Sequence, residues 1–472
     1  STTMHFMPGC EILQSFDLVH WEHVTYVYET LDHTDAQQLK SGQNIYGQGM
    51  WAASLRYHEG RFCICFVAND TRKTYLYTSE KIDGPWKKQL IEGFYHDGSL
   101  LFDEDGRNYI VYGNDEIWIT ELNEDLTAPK KDGLHRLLVS DHKNPELGYE
   151  GSHIQKINGY YYIFLIHSLR DRWMRTEACF YSDSLEGEFT GGDVLCDDRG
   201  YCGQGVAQGG IVDTPDGKWY AMLFQDSGAV GRIPILLPVT WKDHFPFFGQ
   251  NGHVPEEIEV HSTRPGYIYQ PLVGSDDFCN GLLPRWQFNH DPDPRYYHLD
   301  ALQGTYTITT REVCTELTQT VNTLTQRMSY PSCAAEVTVD ASALKEGDVA
   351  GLCALQSCYA AVGITKHHGK YEVLMLDKKE DGILDMTEGT VVESHQMDFR
   401  LEADFCNMKD EARCYYRVNK GDWLPIGTVH KLYFKLDHFT GCRFGLFCYA
   451  AEETGGSACF RDFKYYDVDE IS

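Results

Sequence analysis

Four times in the first half of this sequence a small residue opens an apolar strand that runs into a Gly-aromatic turn, and the residue at or just before each opening differs: Trp51, Asp97, Glu150 and Gln208. The copies are Trp51-Ala52-Ala53-Ser54 leading to Gly60-Arg61-Phe62, Asp97-Gly98-Ser99 leading to Gly106-Arg107-Asn108-Tyr109, Glu150-Gly151-Ser152 leading to Gly159-Tyr160-Tyr161, and Gln208-Gly209-Gly210 leading to Gly217-Lys218-Trp219-Tyr220. Each reads strand, tight turn, strand. Their recurrence every roughly 50 residues matches the period of four-stranded propeller blades. Runs such as Tyr109-Ile110-Val111-Tyr112 and Tyr161-Tyr162-Ile163-Phe164 are β-branched and aromatic, and too short for buried helices. One scaffold therefore presents different side chains at equivalent positions.

The ends of the units are also similar: Ser15-Phe16-Asp17-Leu18-Val19-His20-Trp21, Lys81-Ile82-Asp83-Gly84-Pro85-Trp86, Ser184-Leu185-Glu186-Gly187-Glu188-Phe189 and Pro238-Val239-Thr240-Trp241. Counting the opening unit, residues 1–250 are expected to form a five-bladed β-propeller. In such a fold the first strand of each blade lines the axis, so residues at the strand mouths converge on one pocket. Residues 251–274, with Pro255, Pro265 and Pro271, read as a linker. Residues 275–472 carry short alternating strands such as Ala335-Glu336-Val337-Thr338-Val339 and Lys431-Leu432-Tyr433-Phe434-Lys435-Leu436, the pattern of a β-sandwich. The fold class is all-β, and 472 residues exceed what one hydrophobic core supports.

The net charge of −29 argues against nucleic acid as a partner, because that affinity comes from Lys and Arg neutralising phosphates. No window approaches the roughly 18 consecutive apolar residues of a membrane helix. The 16 cysteines show no CxxC pair and no repeated spacing. Free buried thiols in a reducing compartment account for them, which favours a bacterial cytoplasm. Ser1-Thr2-Thr3-Met4-His5-Phe6 reads as the middle of a strand, so a signal peptide would lie upstream.

Cleaving a glycosidic bond needs two carboxyl groups, one protonated to donate to the leaving oxygen and one ionised to activate water or attack carbon. Asp97 and Glu150 stand at equivalent strand mouths in successive repeats, which would bring both to the axis. Their glycine and apolar neighbours favour a raised pKa for at least one of them.

The runs His96-Asp97-Gly98-Ser99-Leu100-Leu101-Phe102-Asp103-Glu104-Asp105-Gly106, Tyr149-Glu150-Gly151-Ser152-His153-Ile154 and Met50-Trp51-Ala52-Ala53-Ser54 resemble glycoside hydrolase family 43, the inverting β-xylosidases and α-L-arabinofuranosidases. Pro8-Gly9-Cys10-Glu11-Ile12-Leu13-Gln14 and Gly231-Arg232-Ile233-Pro234 add to the match, and Arg285-Trp286-Gln287-Phe288-Asn289-His290-Asp291-Pro292 resembles the concanavalin A-like sandwich of the xylosidase branch. The resemblance implies that Glu150 is the general acid and Asp97 the aspartate that orients it and tunes its pKa. It further implies that Arg232 reaches sugar hydroxyls and that Trp51 and Phe6 are aromatic walls, with Gln208 and His153 as polar lining. Gln208 stands where several relatives carry a His near a central ion, so no metal is expected on the axis. No cofactor is expected, and no compact Asp/Asn cluster supports calcium in the second domain.

The implied substrate is a xylo-oligosaccharide or an arabinose-substituted oligosaccharide, cleaved from its end with inversion. The family's general base, an Asp in a Pro-Asp-Pro-like stretch, would lie upstream of Ser1. A chain without that base would be a catalytically silent sugar-binding protein, which is the alternative reading. A similarity of Glu177-Ala178-Cys179 to the Glu-Cys-Pro motif of β-fructosidases stands alone, since that family's nucleophile motif and Arg-Asp-Pro are absent.

Overall fold

A computed structural model describes residues 1–467. Four antiparallel four-stranded sheets follow one another along the chain, beginning with strands Met50–His58, Ser99–Phe102, Glu150–Ile157 and Gly209–Asp213. These opening strands are the four repeats of the sequence, and each lies beside the next. They are tied together across the axis by polar side chains. Arg56 of the first sheet donates through Nε to Leu100 O at 2.9 Å and through Nη2 to Ser99 Oγ and Ile154 O, both at 2.9 Å, so one guanidinium joins three sheets. Gln155 Nε2 carries the linkage to the fourth sheet, donating to Ile211 O at 2.8 Å. Between the sheets the alternate, inward-facing residues form separate apolar cores, such as Val111, Ile119, Ile163 and Leu165 between the second and third.

The expectation of five blades is corrected. Among the described residues there are four complete sheets in a propeller-like arrangement, and in the fifth place stands a two-stranded hairpin, Gly9–Gln14 with Glu22–Tyr28. Its Cys10, Ile12, Val27 and Tyr28 pack against Ile64, Phe66, Tyr75 and Tyr77 of the first sheet. The segment ahead of it turns away: Phe6 and Met7 pair with Asn289 and Phe288 and so join the second domain. Residues 251–274 run irregularly over the hairpin, where Tyr269 Oη accepts from Phe16 N at 2.8 Å and Thr263 N donates to Phe16 O at 2.7 Å.

The second domain is a β-sandwich. A nine-stranded sheet, centred on Leu324–Arg327, Arg443–Tyr449, Val349–Leu355 and Ala360–His367, faces a seven-stranded one built on Ser457–Asp467, Ser332–Asp340 and Gln396–Asp404. Trp286, Phe288, Tyr306, Val337, Phe399, Leu446 and Phe460 fill the space between them. Ala335–Val339 is the strand expected from its alternation. Lys431–Leu436 is not. The strand Leu424–Lys431 ends there, because side chains replace the ladder: Gln356 Nε2 donates to Tyr433 O at 2.7 Å and Gln356 Oε1 accepts from Tyr433 N at 3.2 Å. All 16 cysteines are unpaired, and eleven of them are buried.

Candidate active site

The mouths of the four opening strands face one cavity of about 950 Å3. Trp51, Asp97, Glu150, His153, Gln208 and Arg232 line it, joined by His96, Asn114, Arg175, Phe224 and Asp226 and, from the sandwich, by Phe434, Leu436 and Phe439. Local backbone explains why these side chains point inward. Two of the opening strands break register at their mouths, between Met50 and Ala53 and between Glu150 and His153. Such a bulge swings the first side chains out of the pleat. Gly151 has φ +67°, and a Cβ there would come within 2.1 Å of Gln208 Cδ, so the bulge residue and its neighbour across the axis fit only because it is glycine.

Asp97 and Glu150 come together as the repeat geometry requires. Asp97 sits in the turn ahead of Ser99–Phe102 in a left-handed conformation (φ 48°). Its Oδ2 accepts the amide of Gly151, the residue after Glu150, at 3.1 Å. Asn114 Nδ2 donates to Glu150 Oε2 at 2.6 Å and fixes the second carboxylate. Burial raises the Asp97 pKa, the negative charge of Glu150 adds to that, and His96, Arg232 and the Gly151 amide work against it. His96 Nε2 lies 3.7 Å from Asp97 Oδ2 and 3.7 Å from Glu150 Oε2. Burial alone would lower its pKa, but the two carboxylates outweigh burial and the net shift is upward. These three residues are the one group among those described whose potential metal-ligand atoms lie within 4.8 Å of one another.

Opposite the carboxylates, Arg232 opens strand Arg232–Lys242 directly after the turn Gly228–Val230. Its Nε donates to Asp226 Oδ1 at 3.0 Å, while the buried Arg175 holds Asp226 Oδ2. One aspartate thus anchors two guanidinium groups, and both stack on Phe224, at 5.1 Å for Arg175 and 4.5 Å for Arg232. Trp51 meets His96 at a ring separation of 5.9 Å and Phe439 edge-on at 5.5 Å. His153 lines the cavity as a neutral imidazole, its pKa pushed down to about 4 by burial and by Arg56.

Phe6 is corrected. Its ring is fully buried among Leu355, Leu376 and Phe447 of the sandwich and lies 3.8 Å from the Arg443 guanidinium. The cause is the pairing of Phe6–Met7 with the sandwich sheet, which carries it off the axis. Phe439 does line the cavity, with its ring centroid 4.2 Å from Arg232 Cζ. Sequence reasoning missed Phe439, Asn114, Arg175 and Asp226. For His96 the signal was present, since it adjoins Asp97 inside the quoted run.

Comparisons with known proteins match both domains to described families. The model of the glycosyl hydrolases family 43 matches residues 1–246, and that of the beta xylosidase C-terminal concanavalin A-like domain matches residues 275–466. A beta-xylosidase from Formosa agariphila is 25% identical over 99% of this chain and 85% of its own length. A non-reducing end alpha-L-arabinofuranosidase from Bacteroides ovatus is 23% identical over 64% of this chain and 59% of its own. Among solved structures, a bifunctional GH43-CE protein from Bacteroides eggerthii superposes with a TM-score of 0.91 at 41% identity. It covers all of this chain, which spans 61% of that protein's length.

Proposed function

The chain belongs to glycosyl hydrolases family 43, and from that premise we propose that it is an inverting exo-glycosidase releasing a terminal pentose, xylose or arabinofuranose, from xylan-derived oligosaccharides. The observation that carries this reading is the pairing of Glu150 with Asp97 at adjacent strand mouths, facing Trp51 and Arg232 across one cavity. Glu150 donates its proton to the departing sugar oxygen. Asp97 holds the Gly151 amide and with it the backbone of the acid, and its charge acts on the same carboxyl.

The distance between them supports this division of labour. Inversion needs its acid and base roughly 6.5–9.5 Å apart, so that a water fits between base and sugar. Asp97 and Glu150 have carboxyl oxygens within 4.8 Å, too near to be that pair. Among the described residues Asp226 is the other carboxylate lining the cavity, and it is occupied by Arg175 and Arg232. The reading accordingly takes its water-activating carboxylate from the family pattern, and the natural full-length product is the form to assay. The sandwich loop with Phe439 closes one side of the cavity, which favours a terminal unit over a mid-chain segment.

The test is to follow release from xylobiose and from an arabinofuranosyl-substituted xylo-oligosaccharide by proton NMR. The expected result is that the first sugar released has the anomeric configuration opposite to that of the bond cleaved. Release with the configuration retained, or no release from either substrate, contradicts the proposal.

A further inference from the structure

The loop that brings Phe439 to the cavity is rooted in a buried cluster of imidazoles outside the carboxylate site. His438, the preceding residue, is fully buried, and so are His5 and His290. His5 lies 4.8 Å from His290 and 5.3 Å from His438 between ring centroids. Tyr46 closes the group, meeting His290 edge-on at 4.6 Å and stacking on His438 at 5.5 Å. His290 is anchored, since its Nε2 accepts the Ile45 amide at 3.0 Å. Among the described residues, neither ring nitrogen of His5 and neither of His438 has a hydrogen-bond partner.

The charged groups facing the cluster offer His438 little compensation for a positive charge. Asp437, on the same loop, has Oδ2 4.0 Å from His438 Nδ1, and that oxygen already accepts the hydroxyls of Ser357 and Tyr433. Arg443, at the start of its strand, adds a like charge. Burial pushes the His438 pKa down to about 4 and, with His438 beside it, that of His290 to about 3. Burial and the same neighbours hold His5 well below the usual histidine range. A proton added here creates an uncompensated buried cation, which opening of the loop would relieve. The loop's backbone ties are few: His438 N to Lys435 O at 3.0 Å, Gly441 N to His438 O at 2.9 Å and Cys442 N to Ala229 O at 2.9 Å.

We propose that His438 is a positioning residue for the sugar pocket: neutral, it locks residues 434–441 against Tyr46 and His5 and holds Phe439 on Arg232 and Trp51, and charged, it releases that wall. The inference rests on the cavity being the sugar pocket proposed above. It has its own readout, however, in the mobility of the loop.

The experiment compares the natural full-length protein with its His438→Phe and Phe439→Ala variants between pH 7 and 3.5. His438→Phe keeps the ring in its stack and removes no hydrogen bond. If the charged form does not bind sugar, KM of the parent protein rises about twofold by pH 4 and about fourfold by pH 3.5, over and above any change in kcat. In His438→Phe it stays flat over that range, and in Phe439→Ala it is already high at pH 7 and moves little further. Hydrogen exchange of the 434–441 peptide, corrected for intrinsic rates, speeds up at pH 4 in the parent protein and not in His438→Phe. A parent KM that ignores pH, or the same pH response of KM and exchange in parent and His438→Phe, overturns the proposal. Should His438→Phe not fold, an equal pH response of KM in parent and Phe439→Ala overturns it as well. Absence of turnover at every pH strikes the proposed function instead, and exchange in the parent protein then decides the loop: acceleration at pH 4 sustains the lock and its absence refutes it.

Discussion

The guanidinium of Arg232 lies 4.2 Å from the ring centroid of Phe439, so a side chain of the sandwich forms part of the wall of the propeller's cavity. Neither domain alone completes the pocket.

Asp226 and two rings hold Arg232 in place at the cavity, where the proposed function has it donate charge-assisted hydrogen bonds to sugar hydroxyls. Replacing it with Ala is expected to lower kcat/KM on oligosaccharide by about 10- to 100-fold, the worth of one such bond at about 1.5–3 kcal/mol. Arg232→Lys recovers little, because an ammonium cannot stack between Phe224 and Phe439 as a planar guanidinium does. Steady-state kinetics of the two variants measure both effects.

Gly151→Ala should damage the site and leave the fold. The new methyl meets Gln208 and the left-handed φ costs about 1–2 kcal/mol, so Glu150 shifts from its hydrogen bond to Asn114. Activity on oligosaccharide is expected to drop at least about tenfold while Tm falls by only a few degrees. A drop in Tm without loss of activity would count against the bulge as the element that aims the acid.

Arg56→Met removes the staple between three sheets and takes a charged donor away from two buried carbonyls and from the Ser99 hydroxyl, which keeps only the Ile154 amide. Unfolding free energy of the propeller-like domain should fall by about 2–4 kcal/mol, read from denaturant titration against the parent protein.

The ion pair of Glu11 with Arg327 joins the hairpin to the sandwich at 2.8 Å. Burial alone would raise the Glu11 pKa, but Arg327 and His23 more than offset it and bring it from 4.5 down to about 2. A carboxyl lowered on folding stabilises fully above its unfolded value and loses that contribution as pH falls through its folded one, here between about 4.5 and 2. Glu11→Gln is therefore expected to cost about 3 kcal/mol at pH 7 and progressively less toward pH 2. Thermal unfolding of both proteins across that range shows whether the gap closes.

Much of this was legible because the signal was periodic. Trp51, Asp97, Glu150 and Gln208 open equivalent strands, and equivalent strands in a radial repeat must meet at the axis. Asn114 and Arg175 lie at the far end of second strands and the start of third ones, where no repeat marked them. Phe439 was hidden for another reason. Lys431–Leu436 alternates like a strand, and only the tertiary pairing of Gln356 with the Tyr433 backbone turns it into a loop. Phe6 was misplaced by the same kind of long-range choice, since its partner strand lies more than 280 residues away at Phe288 and Asn289.

Whether Glu150 protonates the leaving oxygen is read from substrates of different leaving-group ability. A poor leaving group needs the acid and a good one does not. With Glu150→Gln in the natural full-length protein, kcat/KM on xylobiose, or on the arabinofuranosyl oligosaccharide if that is the better substrate, is predicted to fall by about 10²–10⁴, and far less on the matching 2,4-dinitrophenyl glycoside. Equal losses on both substrates, or less than a tenfold loss on the oligosaccharide, would contradict it.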